Sequence, residues 1–294
     1  MEWSASEAAA DLAKSPAPLF TAEERGGMDN PEQVLPAGEL HALAADVLEV
    51  AGTPPGHAAI VAGSLVRSNL LGHDALGVRR LLRYVPQIHA GEIDPEARPK
   101  AETIRPGAVV VHGRRAFGQL AAGFAVRELS LLTVDHGSGV AAIRDGNDVG
   151  RLGEYVGALA DTGLVAFAFG NSERTPLAWA LPRATGRQPL VFDEAAVPGA
   201  EIFATLVGGL LSGHGLRGFP GYDGDSGTVL MAVDIAAFLD PGTFREQAES
   251  FCESLSPAPG EPEELIRRRR VAEGVPIPGP ELARLWALSS GWNG

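Results

Sequence analysis

Leu40, Leu43, Val47 and Val50 recur at helical spacing and Gly52 follows as a stop, so "PAGELHALAADVLEVAG" reads as an amphipathic helix. A second helical stretch, "GHAAIVAGSLVRSNLLG", comes after the Pro54-Pro55 turn. The pattern then alternates. "AVVVHG" (108–113), "GVAAIR" (139–144) and "LVAFAFG" (164–170) are short apolar runs that read as strands, joined by "PLVFDE" (189–194) and "TVLMAVDI" (228–235). Between them "QLAAGFAVRELSLLTVDHG" and "GRLGEYVGALADTG" carry helical periodicity. The end, "EELIRRRRVAEGVPIPGPELARLWALSS", reads as two helices split by a Pro/Gly hinge. Strands and helices interleaved in this way predict an α/β fold. Residues 1–34 stand apart as an Ala-, Pro- and acid-rich extension, in which Ser4 and Glu7 could box a short helix.

Composition narrows the function classes. The 294-residue chain is 45% hydrophobic and 21% charged, enough to bury a large core. Its net charge of −13 argues against nucleic acid and anionic membranes, because phosphate binding needs clustered Lys and Arg. The basic run Arg267 to Arg270 follows "GEPEEL" and reads as a solvated helix face paired with acids. No apolar run is long enough to span a bilayer, and the first residues lack the pattern of a secretory signal. One cysteine, Cys252, excludes an internal disulfide and fits a reducing cytoplasm, the expected location. No Walker A loop or HExxH is present, the seven histidines lack metal-ligand spacing, and no metal is expected. "HGSG" at His136 to Gly139 precedes a strand, whereas a dinucleotide fingerprint leaves a strand and opens a helix.

Leu70 to Pro95, "LLGHDALGVRRLLRYVPQIHAGEIDP", takes the reading further. The stretch resembles the signature region of the malate/L-lactate dehydrogenase family, NAD(P)-dependent reductases of 2-oxoacids and cyclic imines with a non-Rossmann nucleotide fold. The likeness continues through "RRAFGQLAA", "HGSGVAAIRDGNDVGRLGEYVGALADTGLVAFAFGNS", "TPLAWALPRATGRQPLVFDEA", "GAEIFATLVGGLLSG" and "TVLMAVDIAAF". It implies a mixed sheet with flanking helices and a helical lobe. On that basis residues 35–105 form the helical lobe with its entrance loop, and 106–250 the central α/β domain. Residues 251–294 form C-terminal helices packed back on the lobe. A homodimer is the assembly that the resemblance implies.

The sequence departs from the family where the chemistry sits. Members carry Asp-Ser-His-Gly in the entrance loop, whose His donates a proton to the substrate carbonyl; here the motif is Asp74-Ala75-Leu76-Gly77. Neither a methyl nor an isobutyl group can donate a proton to a reduced carbonyl. The second signature, Asn-His-x-Gly, is Asn147-Asp148-Val149-Gly150. The family's Trp-Gly-Gly cofactor loop is reduced to Glu173 and Arg174, and no counterpart of its Gly-Gly-His-Lys-Gly turn follows "FDEA". "SGHGLRGFPGYDGDSG" has one Arg and two Asp and reads as a surface loop. No bound cofactor is therefore expected, with NAD(P)H as the alternative if these segments are rebuilt.

The residues that remain define a candidate site. Arg80 keeps the family's substrate-carboxylate position and can clamp a carboxylate, or instead pair with a nearby acid; Arg79 and Arg83 compete for the role. Asn147 can orient a carbonyl. Asp148 is either a replacement base or a buried acid paired with Arg144 or Arg151. His73 is a candidate substitute for the lost histidine, against a surface role, and Gln119 and Tyr84 are pocket linings. The leading expectation is a cofactor-independent, redox-neutral enzyme on a carboxylate- or carbonyl-bearing metabolite. A reductase with a rebuilt site and a non-catalytic partner subunit are the alternatives.

Overall fold

The computed structural model describes residues 32–171, 176–184, 186–195, 200–215, 227–254 and 257–291. The first strand, β1 (Glu32–Leu35), starts inside the stretch expected as an extension. Helices α1 (Ala37–Val50), α2 (Pro55–Leu70) and α3 (Leu81–His89) follow, with two short 3-10 turns, Asp74–Leu76 and Val78–Arg80, between the last two. Leu40, Leu43, Val47, Val61, Leu65, Leu81 and Val85 enter one apolar core with Phe117, Val275, Ile277, Leu282 and Leu285. Burial of large aliphatic side chains at about 1.5–3 kcal/mol each makes this core the main support of the entrance loop.

The second core belongs to the sheet. Strands β2 (Lys100–Arg105), β3 (Ala108–His112), β4 (Ser138–Arg144), β5 (Leu164–Gly170), β6 (Pro176–Leu181), β7 (Leu190–Ala195) and β8 (Thr228–Asp234) are ordered β2-β3-β4-β8-β5-β6-β7. The β3–β4 pair is parallel and its neighbours antiparallel, so the sheet is mixed. Helix α4 (Gly118–His136) connects β3 to β4, and α5 (Leu152–Asp161) connects β4 to β5. Ala121, Ala122, Ala125 and Leu129 of α4, with Leu152, Val156 and Leu159 of α5, pack on Val111, Ala141, Ile143, Ala166 and Leu230. Small residues on the strands let the helices approach closely. The expected strands over 108–113, 139–144, 164–170, 189–194 and 228–235 all form, within a residue or two at their ends.

Several elements differ from the sequence reading. The hinge between the last helices is a strand, β9 (Val275–Pro278), which pairs antiparallel with β1 and seals the first core. It lies between α8 (Glu261–Glu273) and α9 (Gly279–Ser289). Helix α6 (Ala200–Leu206) runs on into a π turn over Val207–Leu211, and α7 (Pro241–Glu253) was not anticipated. The basic run splits in role. Arg267 and Arg268 pair with Glu264, as expected of a solvated face, but Arg270 is buried and donates to Asp74 and to the Asn69 carbonyl. The loop expected at the surface begins with buried residues, Ser212 and His214; its residues 216–226 lie outside the described ones. So do Ser4, Glu7, Glu173 and Arg174.

Candidate functional site

The site forms where the first turn of α3 meets the loop between β4 and α5. Asn69, buried near the end of α2, accepts from the Val78 amide at 2.9 Å and donates to Asp74 Oδ1 at 2.7 Å. A Cβ on Gly77 would stand 2.2 Å from Asn69 Oδ1, so only glycine lets the entrance loop close over that amide. Arg270 holds Asp74 from the far side. Asp74 is thus a structural anchor, and the 3-10 turn that follows sets Arg80 at the start of α3.

Opposite lies the Asn147-Asp148 loop. The α4 N-terminus sits directly on it: a Cβ on Gly118 would meet the Asp148 carbonyl oxygen at 2.3 Å. This close approach explains the glycine of "FGQ" and carries Gln119 into the site. Asn147 Nδ2 donates to the carbonyls of Arg115 and Ala116, each at 3.0 Å. Arg114, Arg115 and Asp145 all take positive φ, strain that the surrounding hydrogen bonds overcome. Asp145 N–H donates to His214 Nε2, and Arg115 N–H to the Asp145 carbonyl.

Four of the expected residues come together here. Arg80 Nη2 donates to Asp148 Oδ2 at 2.9 Å, Gly150 N donates to Asp148 Oδ1 at 2.7 Å, and Gln119 Nε2 donates to the Tyr84 hydroxyl at 2.8 Å. Arg80 Nη1 reaches the same hydroxyl at 3.4 Å. Tyr84 and Gln119 are buried, and Tyr84 stands edge-on to Phe117. Arg80 and Asp148 keep 14% and 31% of their side chains exposed, so the pair is in contact with solvent. Neither expected partner of Asp148 holds it. Arg151 pairs instead with Asp193 at 3.0 Å, and Arg144 lies beside Gly213. Arg80 reaches Asp148 because the glycine-dependent packing of both loops brings α3 onto the β4–α5 connection.

The charges at this site follow from those contacts. Burial alone would raise the Asp148 carboxyl, but the hydrogen bond and charge of Arg80, the Gly150 amide and the field of Arg83 carry it below the ordinary carboxylate value. Burial opposes the Arg80 charge, yet Asp148 keeps its pKa above the usual guanidinium value. Tyr84 is pushed up, first by burial. At neutral pH the pair is ionised and the phenol is neutral.

His73 does not join this group. It sits 3.9 Å from Glu263, and burial, together with the charge of Arg151, lowers its pKa to about 4 against the opposing pull of Asp74. Gln119 and Tyr84 were legible only as linings. Asn69 and Arg270, which present the loop, were missed; a lone Asn late in an apolar helix was the available signal.

The malate/L-lactate dehydrogenase family profile matches residues 35–201. The chain belongs to this family. It is 33% identical over 150 residues to a malate dehydrogenase of Pyrococcus abyssi, a stretch that covers 51% of this chain and 41% of that protein. It is 31% identical over 176 residues to Delta(1)-pyrroline-2-carboxylate reductase 2 of Burkholderia multivorans, covering 55% and 52% respectively. These matches span about half the length of the curated relatives. Malate dehydrogenase from Pyrococcus horikoshii OT3 shares the fold with a TM-score of 0.81 at 21% identity, over 90% of this chain and 97% of that one.

The family implies a nicotinamide dinucleotide, whose phosphates need open backbone amides and basic side chains. The amide of Gly153 at the start of α5 donates to the chain's own Asp193 carboxylate at 2.9 Å, and Arg151 is spent on the same acid. Gly208 packs against the backbone of Gly170 and Asn171, and Gly227 against Ser212. These glycines serve packing, and among the described residues none forms a basic, open phosphate cradle. Stretches 172–175, 196–199 and 216–226 lie outside the described residues. The described part of the site does not fit the group.

Proposed function

We propose that this family member acts on a small carboxylate-bearing metabolite by proton transfer, as a redox-neutral enzyme. The observation that carries the reading is the Asp148 carboxylate held ionised at 2.9 Å from Arg80. An ionised carboxylate cannot supply the proton that a reduced carbonyl needs, but it can take one. Arg80 receives the substrate carboxylate, and doing so loosens its hold on Asp148. Burial, the largest single influence on that carboxyl, then raises its basicity as the substrate binds. Tyr84 accepts hydrogen bonds from Gln119 and Arg80, which leaves its own O–H to orient a substrate oxygen. Isomerisation, cyclisation and elimination all need this set and no electron carrier.

Deuterium wash-in tests the proposal. Small 2-oxoacids incubated with the protein in D2O are expected to exchange the proton on the carbon next to the carbonyl. Asp148→Asn should slow this by about 10²–10⁴-fold, the usual contribution of a positioned base. Arg80→Ala should abolish binding while leaving the circular dichroism spectrum unchanged. Wild-type exchange in both variants would overturn the mechanism. A second reading, an NAD(P)H-dependent reductase, is favoured by relatives that are themselves named dehydrogenases and reductases. Calorimetric titration with NADH and NADPH separates the two. Micromolar affinity would put the reductase first, with Tyr84 as its proton source.

A further inference from the structure

We infer that residues 19–31 of this chain, which lie outside the described ones, turn back as a hairpin and lay residues 19–23 along the open edge of β1 as a third strand. The family profile begins at residue 35, so this segment stands beyond what the family implies. The two-stranded β1–β9 sheet has two outer edges, and they are unlike. Along an antiparallel pair, residues that bond across it alternate with residues whose N–H and C=O point outward. Glu32 lies opposite Pro278, Gln33 opposite Ile277, Val34 opposite Pro276 and Leu35 opposite Val275. Proline has no N–H to give, so the bonded pairs are Gln33 with Ile277 and Leu35 with Val275. On the outer side of β9 stand Pro276 and Pro278, and that edge offers no donors there. On the outer side of β1 stand the N–H and C=O groups of Glu32 and Val34. Among the described residues these groups have no hydrogen-bond partner. The Val34 side chain is 55% exposed as well. An edge of this kind is a template for a further strand.

The segment that leads into this edge carries the matching pattern. In "LFTAE" (19–23), Phe20 and Thr21 favour extended backbone. Gly26-Gly27 then supplies a two-residue reversal, because the favoured hairpin turns need positive φ, which glycine takes without strain. A turn at these two glycines fixes the register: Arg25 faces Met28, Thr21 faces Glu32 and Leu19 faces Val34. The pair that closes a two-residue turn is a bonded one, so bonding falls on Met28 and every second residue after it, Asn30, Glu32 and Val34. Glu32 and Val34 are the two residues whose backbone groups stand free on β1. The prolines agree with this parity. Pro18 and Pro31 both fall at non-bonded positions, where no N–H is needed. Leu19 covers the exposed Val34 side chain as an apolar cross-strand pair. Glu24 opposite Asp29 sets like charges together and weakens the turn end.

Amide hydrogen exchange on the full chain, read residue by residue by NMR, tests the inference. The Glu32 and Val34 amides are expected to be protected, and Thr21→Pro, which breaks a bonded pair, should speed their exchange about tenfold. Ala22→Pro falls at a non-bonded position and should leave the protection in place. Glu24→Lys replaces the repulsive pair by an attractive one and should increase it. The Gln33 and Leu35 amides, bonded to β9, report in every variant that the lobe is folded. Fast exchange of Glu32 and Val34 in the wild-type chain, with Gln33 and Leu35 slow, would overturn the inference. Protection that survives Thr21→Pro would overturn it too, and would assign the edge to a second copy of the chain if it fades on dilution. Equal loss in the two proline variants would overturn the proposed register.

Discussion

His73 shows at the scale of a single residue how burial sets a role. Its pKa of about 4, against an ordinary 6.5, means that the folded chain refuses a proton which the unfolded chain takes up. The associated stability is fully present above pH 6.5 and is lost as the pH falls toward 4, with a total on the order of 3 kcal/mol. His73→Gln removes the titration and keeps much of the volume. Chemical denaturation at pH 7 and pH 4.5 should therefore show a smaller drop in stability for the variant, by on the order of 2 kcal/mol. An equal drop in both proteins would show that other groups govern the acid limb. Asp148 works in the same sense at lower pH: its lowered pKa adds stability that is present above the ordinary carboxylate value and is lost as the pH falls through the folded value, so its charge is constant across neutral pH.

The elements that build the site depend on a few close contacts. Asn69 closes α2 onto the entrance loop by accepting from Val78 and donating to Asp74. Asn69→Ala would leave a buried amide unpaired and should cost roughly 1–3 kcal/mol. It should also weaken carboxylate binding, because the turn that presents Arg80 begins at Val78. Urea unfolding and ligand titration on the same variant check both effects. Gly118 is the matching contact of α4. A Cβ there stands 2.3 Å from the Asp148 carbonyl, so Gly118→Ala must displace the loop that carries the proposed base. The expected outcome is a folded protein with impaired exchange and a shifted Asp148 environment, visible in the NMR spectrum. The helices and strands themselves were legible, because apolar periodicity in α1, α2 and β3 to β5 matches their buried faces. Strand β9 was not. Its Pro-rich "VPIP" reads as a hinge, and only pairing with β1, distant in sequence, makes it a strand.

Across the whole molecule, segments far apart in the sequence meet. Val275, Ile277, Leu282 and Leu285 from the last segment fill the core that also holds Leu40, Leu65 and Leu81. The entrance loop is therefore held by an early and a late segment of the described residues, and Arg270 on α8 adds a direct clamp on Asp74. Leu285→Ala, at a fully buried position, should cost about 2–5 kcal/mol. Hydrogen exchange should show the loss first in α1 and α2, with the sheet core less affected; uniform loss of protection would argue for a single cooperative unit. The family resemblance was legible from Leu35 onward, and the family profile bears it out over residues 35–201.

What the sequence by itself determined was the alternation of elements, the family, and the residue types at the two signature positions, Leu76 and Asp148. Periodicity and local motifs encode these because they depend on neighbours along the chain. What only the tertiary structure decided was who meets whom. Asp148 was expected beside Arg144 or Arg151, close in sequence, yet it is held by Arg80, while His73 is kept neutral first by burial. Such pairings depend on how two loops are pressed together by glycine contacts and a shared core, and a sequence pattern carries no record of those distances.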